Sequence, residues 1–253
     1  MSGRIPRVVK TSAIVLTHRR LGDADRIVTM VTPLQGKVDA VAKGALKPKS
    51  KLAGHVEPLT LTEVSLAHGR TLDIVTQAQT KNAYLPIKSD LQKMSNAFYL
   101  LELTNRFLIE DVDARQIFEL LDVSLTRLSD GKNSQFVTRV FEFSLLRIVG
   151  VKPELMKCVI SGKDVDAEKA YWSARQGGVI HIDALRNTTD AISLESRVIR
   201  VLRAIEILSF QEICRIKIDP QLSIMLENIM FEFIQIQSEF IIKSSSFIGE
   251  ARR

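Results

Sequence analysis

Gly36-Lys37-Val38-Asp39-Ala40-Val41-Ala42-Lys43-Gly44-Ala45-Leu46-Lys47-Pro48-Lys49-Ser50-Lys51 reads as a strand that runs straight into a basic loop. Val38, Ala40 and Ala42 alternate with Lys37, Asp39 and Lys43, the period of two that sets one face against a core and the other in water. The loop behind the strand carries Lys43, Lys47, Lys49 and Lys51 with no acidic residue among them. Such a loop can lie along a phosphate backbone.

Outward from this stretch, short runs rich in Val, Ile and Thr recur at Ala13 to Thr17, Ile27 to Thr32, Leu59 to Leu66 and Thr71 to Gln79. With Lys37 to Lys43 they predict five strands, separated by turn signals such as Leu21-Gly22-Asp23 and His68-Gly69-Arg70. Five strands in so short a span suit a small closed barrel, and an OB-type barrel is the expectation. Basic residues gather at its strand ends and loops: Arg19, Arg20 and Arg26 join Lys37, Lys43, Lys47, Lys49 and Lys51 as candidate phosphate contacts, with Arg4, Arg7 and Lys10 as weaker ones.

Past Pro86 the spacing becomes helical. Ser89 is the expected N-cap of a helix with Met94, Ala97, Leu101, Thr104 and Leu108 on one stripe. Ile117, Leu120, Leu121, Leu125 and Leu128 mark a second helix, ended by Asp130-Gly131; Phe136, Val137, Val140, Phe141, Leu145 and Ile148 mark a third. Between residues 151 and 190 periodicity is lost, which predicts an irregular lobe with two short strands. Two further helices are expected, one on Val198, Val201, Leu202, Ile205 and Leu208. The other follows a stop at Asp219-Pro220, on Leu222, Met225, Leu226, Ile229, Phe233, Ile236 and Phe240. The fold class is therefore α+β and multidomain: a barrel over 1–82, then a helical domain over 83–253 with the lobe inserted.

Residues 1–81 hold thirteen Lys and Arg against six Asp and Glu, about +7, while the rest of the chain holds 22 against 23. The net charge of +6 thus resides in the barrel segment and points to a polyanion, nucleic acid first. The bland reading of any one cation is a solvated surface charge; a cluster without neighbouring acids says more. No Phe, Tyr or Trp precedes Tyr84, so base stacking on aromatics is not available there and backbone binding without sequence preference is expected. Asp23 and Asp25 read as turn or salt-bridge residues. No Gly-x-x-x-x-Gly-Lys-Ser/Thr loop and no convergent carboxylate set suggests ATP or metal-dependent chemistry, so catalysis is not expected. The start lacks the apolar core of a secretory signal, and no run reaches the length of a bilayer span, which leaves the cytoplasm as the expected compartment. Cys158 and Cys214 are too few for a disulfide framework.

Three motifs carry a resemblance: Ala13-Ile-Val-Leu16, Leu21-Gly-Asp-Ala-Asp-Arg-Ile-Val-Thr29 and Gly36 to Leu52. In order and spacing the chain resembles the RecO family of bacterial recombination mediators over essentially its whole length. The resemblance implies an OB-fold, a helical body and a zinc-binding lobe built from two Cys-x-x-Cys pairs. Here those positions are Cys158, Ser161, His181 and Ala184, so one thiol and one imidazole stand where four thiolates are implied; the lobe is a degenerate zinc-finger-like insert, and no metal or other cofactor is expected.

The resemblance further implies annealing of complementary strands and, with RecR, loading of RecA onto DNA coated by single-stranded DNA-binding protein, in recombinational repair. Both single- and double-stranded DNA are implied partners, and the nucleoid the place of action. The acidic C-terminal tail of the coating protein would need an apolar groove with a basic rim. The wide apolar surface of the last helix, with Phe233, and Arg197, Arg200 and Arg203 on the preceding helix are the candidates, against simple core burial as the alternative. The charge pattern alone equally allows an RNA-binding OB module or a non-catalytic adaptor for an acidic protein.

Overall fold

A computed structural model describes residues 8–108, 112–131 and 134–238. Arg4, Arg7 and Phe240 lie outside the described residues. The five expected strands are present: β1 (Val8–Leu21), β2 (Asp25–Thr32), β3 (Gly36–Ala42), β4 (Thr60–Ala67) and β5 (Asp73–Asn82). They close in the order β1-β2-β3-β5-β4, with β3 parallel to β5 and the other pairs antiparallel.

The alternation along β3 holds, with Val38, Ala40 and Ala42 buried and Lys37 and Asp39 exposed. Ala13, Val15, Val28, Met30, Val64, Leu66 and Val75 complete the barrel interior. Each large side chain among them stabilises the fold by roughly 1.5–3 kcal/mol relative to exposure. β1 is longer than its apolar run because its flanks are basic and polar, whereas Ala13 to Leu16 is buried on both faces. The second face has a local cause. Ile14, Leu16, Ile27 and Val31 point away from the barrel interior, yet none is more than 5% exposed, because helices pack over β1 and β2.

Those helices are α2 (Leu91–Phe107) and α3 (Ala114–Asp130), preceded by the single turn α1 (Leu85–Lys88). The N-cap of α2 is Asp90, which accepts from the Lys93 amide at 3.1 Å, and not Ser89, whose hydroxyl donates to Pro86 O and closes α1. A carboxylate caps as well as a hydroxyl and sits one residue nearer the first apolar turn. Gly131 ends α3 in the left-handed conformation, φ 74°. Tyr84 is fully buried, and its hydroxyl donates to Asp122 at 2.6 Å on α3. Barrel and helices α1–α3 form one compact unit, residues 8–131.

The second unit covers 134–238. It begins with α4 (Ser134–Ile148), whose residues from Phe136 to Leu146 are all buried, including the ion pair Arg139–Glu142 at 2.9 Å. The lobe that follows holds β6 (Tyr171–Ser173) and β7 (Gly178–Ile180), and a third strand, β8 (Ile192–Ser193), extends the sheet in the order β7-β6-β8. β8 is two residues long and exposed, too short to leave a pattern. Gly178 is required here, since a Cβ would lie 2.2 Å from Glu154 O.

Then come α5 (Ser196–Ile207), α6 (Phe210–Ile213) and α7 (Pro220–Ser238). Asp219-Pro220 begins α7 as much as it stops what precedes: Asp219 accepts from the Leu222 amide at 2.9 Å and Pro220 fills the first helical position, where its missing N–H costs nothing. Leu222, Leu226, Ile229, Met230, Phe233 and Ile234 are each at most 6% exposed, so the wide apolar surface of α7 is largely core. Among the described residues no helix is long and apolar enough to cross a membrane.

Candidate nucleic-acid interface

Strand register decides which cations meet. Arg20 pairs with Arg26 across β1 and β2, and Arg26 with Ala42 across β2 and β3. The ends of β1, β3 and β5 and the starts of β2 and β4 therefore form one rim of the barrel. Arg19, Arg20, Arg26 and Lys43 stand on it, and the loop leaving Ala42 crosses it.

That loop is fixed. The Gly44 amide donates to Asp25 Oδ1 at 2.7 Å and the Leu46 amide to Ala24 O at 2.9 Å, tying it to the β1–β2 turn. Gly44 takes φ 68°, a conformation that L side chains rarely adopt. Ser50 Oγ accepts from the Leu52 and Ala53 amides and starts a 3-10 turn, Ala53–His55. Ala45 is buried in the barrel core and Leu52 packs against it. With the apolar residues turned inward, Lys43, Lys47, Lys49 and Lys51 all stand exposed.

Two of the predicted residues are differently engaged. Arg26 points into the barrel mouth, where Nη1 donates to Glu57 Oε1 at 2.5 Å; only 17% of its side chain is exposed. Glu57 also lies 3.2 Å from His18 Nε2. Burial alone would raise the Glu57 carboxyl, but hydrogen bonds from Arg26 and His18 outweigh it and hold the group below its usual range. Lys37 stands opposite Val31 at the other end of β3, about 20 Å from Lys43 at the strand rise. Its ammonium donates to Asn105 O at 2.9 Å.

Asp23 and Asp25 serve the turn. The first pairs with Arg20 at 3.8 Å and the second holds the loop amide. Residues not picked out from sequence are Glu57, which has no local signal because its partners are 31 and 39 positions away, and Arg70, exposed on the β4–β5 turn. Lys81, at the rim end of β5, was visible only as part of the charge total.

In the second unit, the three candidate arginines on α5 all have internal partners. Arg203 donates to Leu155 O and Val165 O, both at 2.7 Å, and so ties the lobe to the helix. Arg197 pairs with Glu195 and Asp219, each at 2.7 Å, and Arg200 with Glu168. Phe233 is 1% exposed and packs on Trp172, ring centroids 5.8 Å apart.

The four positions of the implied metal set come together as two facing turns. Cys158 Sγ accepts from the Ser161 amide at 3.5 Å, and the His181 amide also bonds to it; burial raises the thiol, but these N–H groups prevail and bring it down to about 7. His181 Nδ1 accepts from the Asp183 amide at 3.2 Å, and Ala184 lies buried on the same turn. A serine and an alanine cannot replace thiolates, so this donor set does not fit a closed tetrahedral zinc site.

The family described as recombination protein O, N terminal, matches residues 6–84, and its C-terminal counterpart matches 88–246. DNA repair protein RecO of Dehalococcoides mccartyi strain CBDB1 is 38% identical over 222 residues, 88% of this chain and 87% of that protein. The RecO proteins of Roseiflexus sp. strain RS-1 and Desulforamulus reducens are 30% and 29% identical over 98% and 96% of this chain, and 87% and 94% of theirs. With both halves matched and relatives aligned along nearly the whole length, the chain belongs to the RecO family of DNA repair and recombination proteins.

Proposed function

We propose that this protein is a non-catalytic DNA-binding mediator that anneals complementary single strands and helps load RecA onto DNA coated by single-stranded DNA-binding protein. The observation that carries the reading is the rim of the barrel. Four exposed lysines stand on a loop that backbone hydrogen bonds hold in place, and Arg19 and Arg20 stand exposed at the end of β1. The strand order, with β3 parallel to β5, supports an OB-type barrel. The strand 2–3 face commonly used by such barrels is half taken here, because Ile27 and Val31 are covered by α3. That leaves the loop end of β3, the β1–β2 turn and the lysine loop for the ligand.

Cations on such a rim neutralise phosphates, and two strands whose phosphates are neutralised together repel each other less. Annealing needs no bond chemistry. Without aromatic platforms in the barrel, contact is through the backbone and tolerant of sequence, and a duplex is bound as well as a single strand.

Partners extend the reading. RecR is the implied co-mediator, and the acidic tail of the coating protein falls to the second unit. Arg197 and Arg200, 44% and 63% exposed, can exchange an internal carboxylate for one from a partner, whereas Arg203 and Phe233 belong to the internal packing. The site of action would be the nucleoid, in the cytoplasm.

The test is annealing of complementary oligonucleotides precoated with the cognate single-stranded DNA-binding protein, across a salt series. Acceleration by wild type and less by Lys47/Lys49/Lys51→Ala supports mediation through the loop. No acceleration by folded protein would return the reading to an RNA-binding module or an adaptor for acidic proteins, neither of which has to bring two DNA strands together.

A further inference from the structure

Inside the rim, the mouth of the barrel gathers cations around one carboxylate. Val28 faces the barrel core, so its cross-strand partner His18 does too, and the next pair on that face is Arg20 opposite Arg26. Like charges directly opposite destabilise a sheet. Glu57 serves Arg26 and His18, whereas Arg20 bonds to Gly22 O at 2.9 Å and lies 3.8 Å from Asp23, which is fully exposed. Lys88 enters from α1. Its ammonium donates to Thr60 Oγ1 at 3.3 Å, and Thr60 pairs with Val15 of the barrel core, which sets that hydroxyl on the inner face. Burial lowers the Lys88 ammonium, and the Glu57 carboxylate offsets this in part, which brings Lys88 into the same cluster.

Arg20, Arg26 and Lys88 thus share one carboxylate, and Asp25, paired with Leu21, stands on the other face of the ribbon. The surplus is positive and suits an anion of more than one charge. An internal phosphodiester brings a single negative charge, a terminal phosphomonoester roughly −1.5 to −2 at neutral pH. Access makes the same distinction. Arg26 and His18 are 17% and 27% exposed, so a strand that continues on both sides of a phosphate passes in front of them, while a strand end can turn inward. Donors remain for it, since a guanidinium carries five N–H groups and an ammonium three.

We propose that the barrel mouth holds the phosphomonoester at the end of a DNA strand, with Arg20, Arg26 and Lys88 on its oxygens. The inference rests on the DNA-binding reading above and deepens it: the rim follows the backbone of any strand, and the mouth registers where one stops. A terminal phosphate carries no base identity, so tolerance of sequence is kept, and the ends of single strands and duplexes both qualify. Glu57, 43% exposed, occupies Arg26 until a strand end arrives and can turn to water when the dianion replaces it.

The test is fluorescence anisotropy of the full chain with three oligonucleotides of one sequence and an internal fluorophore, at neutral pH and fixed salt. One carries a 5′-phosphate, one a 3′-phosphate and one hydroxyls at both ends. At least one phosphorylated form should bind wild type about five-fold more tightly than the hydroxyl form, the effect of one further unit charge close to a cation in water. Which form it is identifies the end that enters. Arg20→Ala and, separately, Lys88→Ala, both at exposed positions, should bring that ratio toward one, whereas Lys47/Lys49→Ala should weaken all three alike and leave the ratio intact. Equal affinity of wild type for the three, or a ratio unmoved by both mouth variants, overturns the mouth and leaves the rim standing. Failure to bind any of them overturns both.

Discussion

Arg26 and Glu57 form an ion pair in the mouth of the barrel, Nη1 to Oε1 at 2.5 Å, with His18 on the other carboxylate oxygen. The pair neutralises the most enclosed cation of the rim and places a negative charge where a strand would pass. Glu57→Gln should therefore raise DNA affinity by about five-fold at low salt, on the order of 1 kcal/mol for one unit charge near a phosphate in water. Arg26→Ala should lower affinity less than loss of any loop lysine. Anisotropy titrations of the two variants check the order, and an unchanged Glu57→Gln would place the path of the strand elsewhere. The same pair has a pH signature. Glu57 is held below the unfolded carboxylate, whose ordinary value is 4.5, so its contribution is present above that range and is lost as pH falls through the lower folded value.

The loop lysines act by releasing counterions. If Lys47, Lys49 and Lys51 each neutralise one phosphate, the triple alanine variant should flatten the slope of log K against log salt by about 2 on a single strand, roughly 0.7 per contact. Lys37→Ala is the matched control, since its ammonium is bound to Asn105 O at the far end of β3. Its slope should equal that of wild type. A slope lowered as much by Lys37→Ala would show that the strand runs the length of β3.

Arg139 and Glu142 are 4% and 0% exposed on α4 and pair at 2.9 Å, away from water. Glu142→Ala should cost about 3–5 kcal/mol by leaving the guanidinium buried without its carboxylate. Arg139→Met with Glu142→Leu should recover most of that loss. Urea unfolding followed by the fluorescence of Trp172, which lies in the same unit, reports both; equal losses for the single and double variants would rule out the pairing as the cause.

Cys158 gives the lobe a response near neutral pH. Its thiol is brought down to about 7 from an unfolded value of 9.0, so the folded state binds fewer protons between the two. The sign follows: the contribution is fully present above 9 and is lost as pH falls through about 7. The urea midpoint of wild type should rise from pH 7 to pH 9 relative to that of Cys158→Ser. Parallel curves for the two proteins would mean that the thiol stays protonated.

The barrel and the long helices were legible because period speaks for packing. Val38, Ala40 and Ala42 alternate since one face of β3 is wet, and Ile117, Leu121, Leu125 and Leu128 recur since one stripe of α3 is dry. The lobe was not legible, because what holds it is backbone: Arg203 on two carbonyls and Glu154 against Gly178 leave no repeat in the side chains. The rim was legible as composition and not as geometry. Lys37 and Lys43 look equivalent in sequence, yet strand length puts them at opposite ends, and Glu57 reaches Arg26 only after the chain has turned back. The arginines of α5 are a related case. Their acidic and carbonyl partners come from distant segments, so cations that read as a free basic face are tied internally.

The tether of Gly44 to Asp25 and of Leu46 to Ala24 has a thermodynamic consequence. A lysine-rich loop without such anchors would have to surrender its conformational freedom each time it met a strand, and association would carry an unfavourable entropy and a marked heat-capacity change. Here the chain gave up that freedom when it folded. Calorimetry of the encounter should accordingly register ions departing and little rearrangement of protein: a favourable entropy that shrinks as salt is added, over a heat-capacity change close to zero.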